Sequence, residues 1–296
     1  MNGIPVSSCP ACGASGRTAS WRRAHIRLVE CSRCGLVFAD PQFREIVNRR
    51  YESEYDLAAH FGEREARKRV LYQRRLRSLA SPASGGGLLC DVGCGDGQFL
   101  ALAREQGWHG RGVELNPAAA EAVRRRGFPV HVGRIEDAAA LEWGGFDLVT
   151  AWDSLEHVPD PRAFVRQLVR LLRPGGTVAL STLNRRSLVA AVFRQHWTMV
   201  VEDHYTYWDR SSLHRMLESE GVEVVRSSTS GLGRDFFRWL DRPARLGTGS
   251  TGATGERRGW DASRPVAAIE AVVNAGLARS GAGVSLDVIG RRPASV

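Results

Sequence analysis

The sequence predicts an α/β chain built on a doubly wound parallel sheet, with a small cysteine-built ribbon in front of it. Three observations carry that expectation. From Leu88 onward, apolar runs of strand length alternate with stretches of helical periodicity. The stretch Leu88–Leu100, LLCDVGCGDGQFL, passes from an apolar run through three alternating glycines into a second apolar run. That pattern reads as a strand, a tight loop and a helix start. Paired cysteines, finally, punctuate the first 40 residues.

Cys9, Cys12, Cys31 and Cys34 form C-x2-C-x18-C-x2-C, and glycine follows each pair. Two such knuckle turns suit a single tetrahedral zinc ion. Four protein thiolates close the coordination shell, so the expected role is structural, and so short a segment needs the metal to fold. A redox dithiol would explain one C-x-x-C but not two matched pairs. Residues 1–40 are therefore expected to be a zinc ribbon, with Trp21, Ile26, Leu28 and Val29 shaping a hairpin among Arg17, Arg22, Arg23, Arg27 and Arg33. Residues 41–84 are expected to be a helical cap and linker. Arg44–Leu79 holds no proline, no glycine except Gly62, and apolar residues at helical spacing (Val70, Leu71, Leu76, Leu79). Its basic run, 64–77, reads either as a solvated helix face or as an electropositive wall over a substrate cleft. SPASGGG (81–87) is the linker.

The glycine loop follows. Gly93, Gly95 and Gly97 run G-x-G-x-G, unlike the G-x-G-x-x-G of dinucleotide folds. Asp91 and Asp96 would repel a diphosphate. They suit S-adenosylmethionine (SAM), which carries an ammonium and a sulfonium but no phosphate. Strands are expected at Leu88–Val92, Gly110–Glu114, Pro129–Val132, Phe146–Ala151 and Thr177–Thr182, with helices at Gln98–Gln106, Pro117–Arg126 and Pro161–Leu172 between them. Alternation of this kind gives a parallel sheet covered on both faces, with ligands at the carboxyl ends of its strands. Asp91, Gly93, Glu114, Glu136, Asp153 and His157 all fall at those ends. Cys90 and Cys94 are expected to be small buried thiols.

Five segments occur in an order that resembles class I SAM-dependent methyltransferases. They are the glycine loop, GRGVELNP, HVGRIED, FDLVTAWDSLEHVPDP and LLRPGGTVALSTLN. The likeness extends to members with an N-terminal zinc ribbon, including sugar and natural-product enzymes, and through LEHVPDP to ubiquinone-type O-methyltransferases. The resemblance implies a Rossmann-like, seven-stranded sheet over residues 85–296 that ends in an antiparallel hairpin. Val222–Val225 and Val284–Ile289 would form that hairpin, with a flexible insertion at 242–262 between them. It implies SAM as cofactor beside the structural zinc, with Asp91, Gly93, Gly95, Gly97, Glu114, Ile135, Glu136 and Asp153 as the cofactor-binding set. Glu114 would take the ribose hydroxyls. Arg134 stands where many members carry an acid, which shifts adenine recognition to the Ile135 backbone and Glu136.

The stretch Asn184–Trp208, rich in aromatic and polar residues, is expected to depart from regular structure and, by the same resemblance, to border the acceptor pocket. A short helix at Ser211–Glu220 should follow. A hydroxyl acceptor must lose a proton, and the candidate catalytic residues are His157 and His204. Asp203, His204 and Ser211 match the family pattern around the second histidine.

Composition bounds the rest. The chain has 296 residues, 43% of them apolar and 25% charged, as in an ordinary soluble globule. No apolar run is long enough to span a membrane. MNGIPVSSCP lacks the basic and apolar regions of an export signal, so a cytoplasmic location is expected. A net charge of +9 raises nucleic acid as a partner. Against that, the basic residues are arginines apart from Lys68, and no N-P-P-[YF] motif is present. The expected activity is methylation of a small molecule or glycan at a hydroxyl oxygen. The alternatives are an RNA methyltransferase and a non-catalytic SAM-binding or zinc-built interaction subunit.

Overall fold

Alternating apolar runs become two sheets in the computed structural model, which describes residues 8–23, 26–40, 65–82, 84–137, 143–231, 276–277 and 279–294. The N-terminal strands are β1 (Arg17–Arg23), β2 (Ile26–Cys31) and β3 (Val37–Ala39), and helix α1 (Glu65–Arg77) follows. The chain then alternates through β4 (Gly87–Val92), α2 (Gln98–Arg104), β5 (Trp108–Glu114), α3 (Pro117–Arg125), β6 (Val130–Val132) and β7 (Phe146–Ala151). Next come α4 (Pro161–Leu171), β8 (Leu172–Leu183), α5 (Leu188–Phe193), β9 (Thr206–Tyr207) and α6 (Arg210–Ser219). The described chain ends with β10 (Glu223–Ser230) and β11 (Ser285–Arg291).

The large sheet has the order β10-β11-β8-β7-β4-β5-β6. Strands β8, β7, β4, β5 and β6 are parallel, and β10 and β11 form the antiparallel hairpin. In β4 and β7 the side chains of Leu89, Cys90, Val92, Leu148, Val149 and Ala151 are all buried. Strands that are apolar on both sides need helices on both faces, which is why these pair in parallel. The chain winds from β4 out to β6, then returns to lay β7 on the other side of β4. That reversal opens a crevice at the carboxyl ends of β4 and β7, where such sheets hold ligands.

Local signals set the helix boundaries. The Asn116 side chain accepts from the Ala118 and Ala119 amides, and Pro117 takes the first helical position of α3. Asp160 and Pro161 repeat the device on α4, which buries Phe164, Val165, Leu168 and Leu171 along one stripe.

Three segments differ from expectation by more than two residues. Strand β8 starts at Leu172 rather than Thr177, because Phe146 pairs with Leu172 before the register shifts. Strand β10 runs on to Ser230, carried by its pairing with β11. Asn184–Trp208 is also more regular than its composition suggests: Ser187 caps α5 by accepting from Ala190, and β9 forms near its end. The insertion at 242–262 and the first part of the predicted cap helix lie outside the described residues.

The ribbon has its own sheet, of order β1-β2-β3-β9. Its knuckles match. Gly13 donates to the Cys9 carbonyl and Gly35 to the Cys31 carbonyl, both at 2.9 Å. Both glycines have positive φ, 72° and 70°, a region closed to most other residues. Cys9, Cys31, Leu36 and Phe38 share one apolar cluster with Leu155, Trp208, Leu213 and Met216. The ribbon core is thus continuous with the core of the large sheet.

Candidate active site

At the end of β4 the backbone turns through Gly93, Gly95 and Gly97, with φ of 73°, 57° and 80°. A Cβ on Gly93 would lie 2.3 Å from Ser154 Oγ. Ser154 donates to the Trp152 carbonyl at 3.1 Å, so it has no cost-free retreat. Gly93→Ala is expected to lose about 1–2 kcal/mol from the left-handed backbone alone, with the Ser154 displacement added. A thermal melt against wild type checks this.

Glu114, at the end of β5, latches the loop. Its Oε2 accepts from the Gly95 amide and its Oε1 from the Asn116 amide, both at 2.8 Å. The side chain is buried, and burial raises its pKa against the pull of these bonds. Asp91 is buried beneath the loop and accepts from Thr150 Oγ1 at 2.6 Å. Burial pushes its carboxyl up to about 7, against the Thr150 bond, with Glu114 adding to the rise. Asp96 is paired with Arg126 at 2.9 Å, which leaves the uncompensated acids of the loop as Asp91 and Glu114. After β6, Ile135 is buried and Glu136 exposed, in a turn where Asp137 accepts from the Arg134 amide.

Asp153 stands across the crevice, after β7, in a left-handed conformation with φ of 51°. Ser181 Oγ donates to its carboxylate at 2.7 Å. Arg75 of α1 reaches both Asp153 (3.4 Å) and Asp287 of β11 (3.1 Å), and its guanidinium lies 4.6 Å from the Trp152 ring centre. Burial would raise the Asp153 carboxyl, but Arg75 and Ser181 hold it below the ordinary carboxylate range. Sequence reasoning missed Arg75, Thr150 and Ser181. Arg75 had a signal: it shares a helix face with Leu71, Tyr72 and Leu79, the buried side of an otherwise basic run. The exposed Arg74 and Arg77 form the solvated side.

The 3-10 turn Leu155–His157 brings His157 against His204, with ring centres 4.7 Å apart. His157 Nδ1 lies 2.9 Å from the Asp203 carbonyl and His204 Nδ1 2.7 Å from the Met199 carbonyl. A carbonyl only accepts, so each Nδ1 carries the proton and each Nε2 the lone pair. Burial lowers both pKa values, that of His204 to about 4 with His157 adding to the drop. Both rings are therefore neutral at pH 7. Glu156, also missed, is buried beside them and accepts from Thr182 Oγ1 at 2.9 Å. Burial, with Asp153 nearby, pushes it up to about 8. One polar atom each from Glu156, His157 and His204 lies within 4.8 Å of the others.

These shifts set a pH dependence. Below pH 6.5 the buried histidines and the buried acids act in opposite directions on stability. Above it the unfolded histidines are neutral, and Asp91 and Glu156 dominate. Their folded pKa values lie above the unfolded ones, so the folded state holds more protons and stability falls as pH rises. The ligand-free melting temperature is expected to drop between pH 6.5 and 8. Glu156→Gln should flatten that slope.

At the ribbon, Cys9 and Cys34 sulfurs are 3.5 Å apart, as are those of Cys12 and Cys31, and all four lie within 4.8 Å of one another. A tetrahedron with 2.3 Å zinc–sulfur bonds has edges of about 3.8 Å. The four sulfurs fit that frame.

Residues 59–227 match the family profile described as a methyltransferase domain. A ubiquinone biosynthesis O-methyltransferase of Xanthomonas oryzae pv. oryzae is 41% identical over 106 residues, 34% of this chain and 44% of that protein. The chain thus spans less than half the length of that relative. A SAM-dependent methyltransferase of Thermotoga maritima superposes with a TM-score of 0.51 at 16% identity, covering 80% of this chain and 98% of that one. Geranyl diphosphate methyltransferase, solved in complex with SAM, superposes with a TM-score of 0.50 at 18% identity, covering 76% and 85%. At these identities the structures share the fold.

Proposed function

The chain belongs to the methyltransferase-domain family, and from that premise we propose that it transfers a methyl group from SAM to a hydroxyl oxygen of a small molecule or glycan. The observation that carries this reading is that two different chemistries adjoin: the turn bearing His157 starts at Ser154, which packs on Gly93 and accepts from the His157 amide at 3.1 Å. On one side a glycine loop is latched by Glu114 above a buried Asp91; on the other, two neutral histidines stand with ring centres 4.7 Å apart. SAM supplies an activated methyl on a sulfonium leaving group, so the protein has to align the partners, exclude water and accept a proton. The second lone pairs of the Glu114 oxygens suit ribose hydroxyls. The backbone at Gly93 admits close approach because no side chain stands there. A cationic ligand at the loop would favour the ionised form of Asp91, whose pKa burial pushes up to about 7 in the ligand-free protein.

His157 is the base in this reading. The Asp203 carboxylate lies 3.7 Å from its Nδ1 and stabilises the imidazolium once Nε2 has taken the hydroxyl proton. His204, more deeply buried and with its pKa lower still, lines the pocket. The four cysteines hold one structural zinc ion in the same reading, supported by the sulfur separations at the ribbon.

The test uses methyl-labelled SAM, the purified protein and a host extract lacking it. Label in a small, nuclease-resistant fraction supports the proposal. Label in RNA overturns it in favour of a nucleic-acid substrate, and SAM binding without transfer overturns it in favour of a binding subunit. Metal analysis is expected to give one zinc per chain.

A further inference from the structure

We propose that the cysteine ribbon forms part of the wall behind the acceptor side, and that metal binding at Cys9, Cys12, Cys31 and Cys34 sets the positions of His157 and His204. The inference rests on the reading of those histidines as the acceptor side.

The connection is short and continuous. Cys31 donates its amide to the Leu36 carbonyl at 2.9 Å, so the second knuckle leads straight into β3. Strand β3 pairs with β9 through Val37–Tyr207 and Phe38–Thr206. A two-residue strand has no stability of its own, and β9 is the edge of its sheet with β3 as its neighbour. The pairing continues one residue further, where Ala39 donates to the Tyr205 carbonyl at 2.9 Å. The Tyr205 amide in turn donates to the Glu156 carbonyl at 2.7 Å. One residue is thus held by the ribbon on one side and by the His157 turn on the other. His204 precedes it directly, and Asp203, whose carbonyl accepts from His157 Nδ1, precedes that.

Two side chains reinforce the tie. Arg215 of α6 donates to the Cys34 carbonyl at 2.5 Å. Arg185 bridges Glu30 of β2 (3.1 Å) and Asp209 (2.7 Å), the N-cap of α6. The cofactor loop is held differently. Gly93 and Cys94 donate to Val113, and Gly95 donates to Glu114, all within the large sheet. Loosening the knuckles should therefore disturb the histidines and spare the loop.

Hydrogen exchange and calorimetry on the full chain test this. Zinc-loaded protein is compared with protein stripped by a thiol reagent and chelator, and with Cys34→Ser. Amides in 203–208 are expected to exchange about tenfold faster or more without metal, while SAM affinity stays within about threefold. Unchanged exchange at 203–208 overturns the proposal. So does equal acceleration at 93–98 with loss of SAM binding, because the metal would then support the whole fold. Should the stripped protein and Cys34→Ser both fail to fold, Arg215→Ala keeps all four cysteines and decides instead. It should accelerate exchange at 203–208 with zinc content unchanged, and no acceleration overturns the proposal. Absence of SAM binding even in zinc-loaded protein would refute the methyl-donor reading, while the exchange contrast still decides the role of the ribbon.

Discussion

His157→Gln is expected to lower kcat by about 10²- to 10⁴-fold, the usual contribution of a positioned general base, while SAM affinity holds. Glutamine keeps a donor near the Asp203 carbonyl but cannot take a proton, so the substitution separates shape from basicity. The wild-type pH profile should show the same group. Burial lowers the His157 pKa below its ordinary value, against the pull of Asp203. The rate is therefore expected to rise with pH through an inflection below about 6.5 and then to level off. A parallel loss of SAM affinity in His157→Gln would assign the residue to the cofactor instead. A profile with no acidic limb would remove it as the base.

Glu114→Ala is expected to weaken SAM binding about ten- to a hundredfold, since hydrogen bonding to a charged group is worth about 1.5–3 kcal/mol. Two losses coincide. The ribose acceptors go, and the Gly95 and Asn116 amides lose their partner, so the loop is no longer held in its receiving shape. Glu114→Gln separates them, because its one remaining carbonyl oxygen can satisfy one amide but not both. Its affinity should fall between the other two by calorimetry. An unchanged Kd in Glu114→Ala would refute the ribose placement.

The features legible in the sequence are those whose information is local. The glycine loop needs positive φ at Gly93, Gly95 and Gly97, and only glycine supplies that cheaply, so the chain spells it out. The cysteine pairs are legible for the same reason: a knuckle fixes their spacing. Arg75, Thr150, Ser181 and Glu156 belong to the site through partners 26 to 212 positions away, and nothing near them in the chain announces those partners. Strand β9 is too short to show a period. Its β character comes from β3, which lies far back in the sequence.

That last pairing also has a consequence for how the protein is made. Phe38 meets Thr206, so the outer edge of β3 stays open until the ribosome has added about 170 further residues. At about 5–20 residues per second that interval is about 10–30 s. An open strand edge is a template for pairing with another chain. Nascent copies on one message are thus at their most adhesive during that interval, and the passage of residue 207 out of the exit tunnel ends that exposure.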